Sequence, residues 1–189
     1  MSAGVTLLRA PCFDDARGWF SQTWSAARQA SQGLAATFVQ DNQSFSVAAG
    51  TVRGIHFQIA PQAQAKLVRC VRGAVMDCVV DLRRGSPTYG RHLAVQLTAM
   101  DRDQLFIPIG FGHGFVTLEA ETEVAYKVSA PYAPDCERGL RWDDPALGVA
   151  WPLPSSGAVM SERDAVWPTL AELAPPFEND GRPFVLERA

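Results

Sequence analysis

The chain has 189 residues, 47% apolar and 20% charged, with a formal net charge of -3. That is the composition of an ordinary soluble globular protein long enough for one real core, and so small a net charge steers it toward neither nucleic acid nor an anionic membrane. No apolar run approaches the ~20 residues of a membrane span and the N-terminus lacks a basic-then-apolar leader, so the expected location is cytoplasmic.

In chain order, "SAARQASQG" (25–33) is predicted to give about two helical turns stopped by Gly33. From Gly50 to about Val128 the chain is a succession of short strands punctuated by glycine and proline. "TVRGIHFQI" comes first, with "APQAQA" as a loop after it. "KLVRCV", a turn at Arg72-Gly73 and "AVMDCVVDL" read as a hairpin. The loop "RRGSPTYG" leads to "RHLAVQLT", then to "QLFIPIGFGHGFVTLE" and "TEVAYKVSAPY". "SERDAVWPTLAEL" is predicted to add a short helix, and "PPFENDGRPFVLERA" reads as an irregular tail on the surface or on a partner. Short strands without helices between them mean a sandwich or barrel. We read residues 1–189 as one domain, with a barrel core at about 45–150 and a helical segment and tail at about 155–189.

The cysteines, Cys12, Cys70, Cys78 and Cys136, form no C-x-x-C and no zinc-type spacing with the three histidines. Cys70 and Cys78 fall in consecutive apolar strands, as buried reduced thiols do. In "PIGFGHGF", proline and the glycines make a strand-turn-strand corner that delivers His113. The spacing P-x-G-x-x-H resembles the second motif of the cupin barrels. The H-x-H companion motif is absent, leaving only His56 in the matching region, and two histidines make a poor transition-metal site.

"RGIHFQ" sets Ile55, Phe57 and Ile59 on one strand face against Gly54, His56 and Gln58 on the other. A solvent-facing sheet and a lined barrel lumen both produce that pattern, and His56 alone could be a core histidine bonded to a backbone carbonyl. Lys66 in "QAKLV" and Tyr126 in "VAYKV" add a cation and a phenol. Base, cation and phenol together are what a reaction through an enolate needs. Asp164 has two readings, a capping box with Ser161 or a carboxylate orienting an imidazole, and spacing does not choose between them.

Taken in order, "FDDARGWF", "FVQDN", "VRGIHFQ", "QAKLVRCVRGAVMDCVVDLRRGSPTYG", "FIPIGFGHGF", "AYKVSAPYAP", "WDDPALGVAWP" and "SERD" resemble the successive signatures of the dTDP-4-dehydrorhamnose 3,5-epimerase family. The resemblance implies an all-β cupin jelly roll without a metal or other cofactor, acting as a homodimer on a dTDP-linked 4-keto-6-deoxyhexose. It implies His56 as base, Asp164 as its carboxylate, Lys66 at the enolate oxygen and Tyr126 as the acid on the opposite face. Arg53 and His113 would line the sugar and phosphate pocket, with Arg17 on the diphosphate. Gln40 and Asn42 would lie near the nucleoside, and Phe20 and Tyr132 would clamp the thymine. The side of the strand bearing His56 and Gln58 would then be the lumen, with Ile55 and Phe57 packed outward between sheets.

The chain departs from the family in Gln22, where a glutamate is usual. It departs also in Gly112 and in Trp167, where alanine and small residues are common; both could reshape the pocket rim. Close alternatives are a 3- or 5-mono-epimerase of a related sugar. A metal-dependent cupin is disfavoured by the missing H-x-H, and a non-catalytic sugar-binding cupin by the presence of all four reactive residues.

Overall fold

The computed structural model describes residues 4–34 and 36–189. The first stretch holds β1 (Val5–Arg9), β2 (Cys12–Asp15), β3 (Gly18–Ser21) and α1 (Ala26–Ser31). The barrel continues with β4 (Gln40–Ser46), β5 (Val52–Gln58), β6 (Lys66–Arg72), β7 (Ala74–Asp81), β8 (Arg83–Arg84), β9 (His92–Thr98), β10 (Asp103–Ile107), β11 (Phe111–Thr117) and β12 (Thr122–Val128). It ends with β13 (Glu137–Gly139), α2 (Glu162–Ala165), β14 (Phe177–Glu178) and β15 (Leu186–Arg188).

Two sheets face each other, one ordered β15-β1-β10-β6-β12-β4 and the other β13-β5-β11-β7-β9. The first therefore takes β1, most of β4 and β15 from outside the span 45–150. Between the sheets, Val5, Leu7, Val68, Cys70, Leu105, Ile107 and Val124 meet Val75, Val79, Val95, Leu97, Phe111 and Phe115 in one apolar cluster. Burying side chains of this kind is worth roughly 1.5–3 kcal/mol each before chain entropy is counted. On β7 the alternate residues Cys78 and Val80 belong to a second cluster with Ile55, Phe57, Leu82 and Leu140, covered by Trp151, Leu170, Leu173 and Phe177. β7 is buried on both faces, which is why it reads as a near-continuous apolar run. Cys70 and Cys78 are free and buried as expected.

Several expectations are corrected. β6 and β7 are not a hairpin: β6 pairs with β10 and β12, β7 with β11 and β9. Gly73, at φ +75° with Thr122 packed on its Cα, turns the chain from one sheet into the other. Ile55 and Phe57 do pack outward, but against the C-terminal segment rather than between the sheets. Nor is the tail irregular. β14 runs parallel to β8 and β15 parallel to β1, while Phe184 enters the core and stacks on Phe111 with centroids 5.3 Å apart. The buried Arg83 guanidinium ties the tail down through Asp81, Asp180 and the Arg182 carbonyl. α1 ends before Gly33, at φ +77°, as the sequence predicts, and α2 is a single turn capped by the Ser161 side chain.

Candidate active site

At one end of the barrel the lumen opens into a cavity of about 740 Å³. Its walls carry His56, Lys66, Tyr126, Asp164, Arg53, His113, Gln40, Asn42 and Tyr132. Nine of the twelve residues singled out in the sequence thus converge from β4, β5, β6, β11, β12, α2 and the loop before β13.

Strand β5 carries an extra residue that strict alternation does not anticipate. Against β11, His56 pairs with His113 but Arg53 pairs with Phe115, three residues on one strand against two on the other. This bulge turns Arg53 to the same side as His56. It requires Gly54, at φ +117°, because a Cβ there would sit 2.6 Å from the Cα of Gly114. Arg53 then reaches Ser46 Oγ at 3.3 Å and the Phe45 carbonyl at 3.0 Å.

His56 Nε2 lies 2.5 Å from Asp164 Oδ1. A carboxylate accepting from Nε2–H leaves Nδ1 as the basic nitrogen of the neutral ring. Asp164 is almost fully buried. Burial pushes its carboxyl pKa up, but the bond and charge of His56, with donors from Trp167 and Ser161, outweigh this and hold it below the usual range. Both sequence readings of Asp164 are present in part: its backbone N–H is capped by Ser161 Oγ at 3.2 Å, while its carboxylate belongs to His56.

Lys66 is buried and donates to the His56 carbonyl at 3.2 Å. Burial pulls its pKa from 10.5 down to about 8, against the opposing charges of Asp77 and Glu137. Tyr126 is shifted the other way: burial raises its phenol pKa, with Arg53 acting in the opposite sense, so the hydroxyl keeps its proton at neutral pH. His113 Nε2 is bonded to Asp77 at 2.9 Å, and burial, helped by the charges of Lys66 and His56, lowers the imidazole's pKa against the upward pull of Asp77. Toward the mouth, Gln40 Nε2 donates to Asn42 at 2.8 Å and Gln40 Oε1 accepts the Tyr132 amide at 3.0 Å. The Tyr132 hydroxyl and Arg163 both donate to Glu137.

Arg17, Phe20 and Gln22 are not in this cavity. They lie on and just beyond the β2–β3 hairpin, where Arg17 pairs with Asp15 and Phe13, Trp19 and Phe20 are exposed. Neither departure noted at the rim lies there: a Cβ on Gly112 would meet Ile55 on the outer face, and Trp167 packs behind His56. Sequence reasoning missed Asp77, hidden inside an apolar run, and Glu137, which opens the three-residue strand β13 with no pattern to mark it. Among the described residues, no three His, Cys, Asp or Glu side chains converge as a metal site.

A two-sheet barrel closed at one end by an apolar core, with a histidine–carboxylate pair, a buried lysine and a phenol at the other, is a cupin-type enzyme cavity equipped for acid–base chemistry. The family model for dTDP-4-dehydrorhamnose 3,5-epimerase matches residues 2–172. A relative of that name from Sinorhizobium fredii is 49% identical over 180 residues, covering 93% of this chain and 90% of its own. Among solved structures, an epimerase from Legionella pneumophila in complex with dTDP-4-keto-L-rhamnose is 36% identical with a TM-score of 0.87, covering 92% of each chain. A 3'-monoepimerase from Streptomyces bikiniensis in complex with dTDP-quinovose is 35% identical with a TM-score of 0.82, covering 89% of this chain and 84% of that one. The chain belongs to the dTDP-4-dehydrorhamnose 3,5-epimerase family.

Proposed function

We propose that the protein inverts C3 and C5 of dTDP-4-dehydro-6-deoxy-D-glucose through enolates, giving dTDP-4-dehydro-L-rhamnose. The ketone at C4 acidifies both neighbouring C–H bonds. His56 takes the proton, Asp164 holds the resulting imidazolium, and the negative charge that develops on the C4 oxygen is met by the Lys66 ammonium. Tyr126 gives its proton to the other face of the carbon, and solvent restores both groups. The observation that carries this reading is the placement of base and phenol: His56 stands on β5 of one sheet and Tyr126 on β12 of the other, in one cavity. A single base that returned its proton to the same face would only regenerate the starting sugar.

Arg53 and His113 serve the sugar and phosphates in this reading, and Gln40, Asn42 and Tyr132 the nucleoside. Arg17, Phe20 and Gln22 serve the nucleotide from a second copy. A homodimer in which each exposed hairpin reaches the partner's cavity gives Phe20 and Arg17 a function that one chain leaves them without. Gln22 would then offer the base an amide in place of a charge. The enzyme works in the cytoplasm without a cofactor.

The likeness to a 3'-monoepimerase keeps a second reading in view, inversion at one carbon only. Solvent deuterium incorporation followed by NMR at each carbon separates the two. Label and inversion at both C3 and C5 are expected; label confined to one position would establish the mono-epimerase.

A further inference from the structure

We propose that Trp167 is a positioning residue for the acid–base pair, acting on His56 through Asp164. Its indole N–H donates to Asp164 Oδ1 at 3.3 Å, the same oxygen that lies 2.5 Å from His56 Nε2. The ring stands edge-on to the imidazole, with centroids 6.1 Å apart and planes at 69°. Its seat is shaped for it: a Cβ on Gly139 would fall 2.5 Å from the indole Cδ2 and Cε2, so only bare backbone leaves room for the ring. Gly139 is the residue of β13 that pairs with His56. The indole therefore covers the buried side of the pair, away from the cavity walls.

Packing alone would be met by a phenylalanine. What phenylalanine would lack is a donor aimed at the oxygen that holds the base. Trp151 shows the other use of an indole, its N–H going to the Trp142 backbone carbonyl. A second donor on Oδ1 draws charge from the carboxylate, makes it a weaker acceptor and fixes its rotamer. The charged and titratable groups around the pair are Arg163 on α2, Glu137 on β13, Lys66 on β6 and the His113–Asp77 pair on β11 and β7. Among the described residues, the side chains that bond Asp164 Oδ1 are His56 and Trp167, and none of these others does. Without the indole donor, Asp164 would hold the imidazolium more tightly, and the base would discharge its proton less readily.

The inference rests on His56 as the base. Trp167→Phe should lower kcat about tenfold with KM within about twofold of wild type. The acidic limb of the kcat profile should also move to higher pH by about half a unit. A spectroscopic arm is independent of turnover. The indole ¹H–¹⁵N resonance that vanishes in Trp167→Phe, or in Trp167→Leu should the first fail to fold, should titrate in the wild type with the midpoint of that limb. The same shift should disappear in His56→Asn. An indole resonance insensitive to pH across the limb, or a W167F profile superimposable on wild type with only the melting temperature lowered, overturns the positioning contact. Undiminished proton exchange in His56→Asn refutes the base itself, so the two failures are distinguishable.

Discussion

Replacing Lys66 by methionine should abolish turnover and make the protein more stable. Lys66 is 9% exposed. Burial moves its pKa from 10.5 to about 8, even with the carboxylates of Asp77 and Glu137 pulling the other way. Each pH unit of that displacement is about 1.4 kcal/mol, so at pH 7 the folded state holds this charge at a disadvantage of about 3 kcal/mol. Methionine fills a similar volume, removes the charge and forfeits the bond to the His56 carbonyl, worth about 1 kcal/mol. A net gain of about 2 kcal/mol is expected at pH 7. Its sign with pH follows from proton binding. Between the two pKa values the unfolded chain keeps its proton and the folded one has lost it, so wild-type stability rises with pH there and the gap between the proteins closes. By pH 9.5 it should have narrowed by about 2 kcal/mol. Urea unfolding of both proteins at pH 7 and 9.5, with equal m-values, measures this directly. A variant less stable than wild type at pH 7, or a difference that ignores pH, would refute the argument.

Tyr126→Phe should separate two activities: exchange at C3 through His56 persists while inversion falls ~10²-fold or more, as read by NMR of label and product in one reaction. Asp164→Asn should leave the Ser161 cap in place, costing at most about 1 kcal/mol in thermal unfolding, yet reduce kcat by well over tenfold. Prolonged chelation should leave turnover unchanged; loss restored by one divalent ion would place the chain among the metal cupins. Mixing inactive Arg17→Ala and His56→Asn proteins through a denature–refold cycle should restore about a quarter of wild-type activity, because half the dimers then carry one intact cavity. No recovery would remove the hairpin from the partner's site.

The alternation of residues 55–58 on β5, the corner before β11 and the stop of α1 at Gly33 were legible because each depends on neighbours in sequence. So were nine of the cavity residues, through motifs that resemble a family. What was not legible depends on distant partners. Arg72-Gly73 looks the same whether the chain folds back on itself or crosses between sheets, and the crossing shows only in the distant partners, β10 and β12 for β6 and β11 and β9 for β7. The side on which Arg53 falls is set by a bulge that needs Gly114 on the neighbouring strand. Asp77 sits in "AVMDCVVDL" as one polar letter in an apolar run, and its role emerges only when β11 brings His113 beside it. Trp167 looked like a rim residue because its distance from Asp164 says nothing about the Gly139 backbone behind it.

The closing segment also has a bearing on how the chain is made. β1 is synthesised before every other strand of the two sheets, and among the described residues its outer edge is covered by β15; Phe184 joins the core it helps to form. Residues 177–188 are synthesised after every other strand of the two sheets. Until then the barrel carries an unpaired edge and a gap at Phe111, the kind of surface that invites association between nascent chains. The Arg83 guanidinium, already in place on β8, stands ready for Asp180 and the Arg182 carbonyl. Covering that edge and filling that gap therefore both fall to residues made after the strands they complete, through β15 on β1 and Phe184 on Phe111.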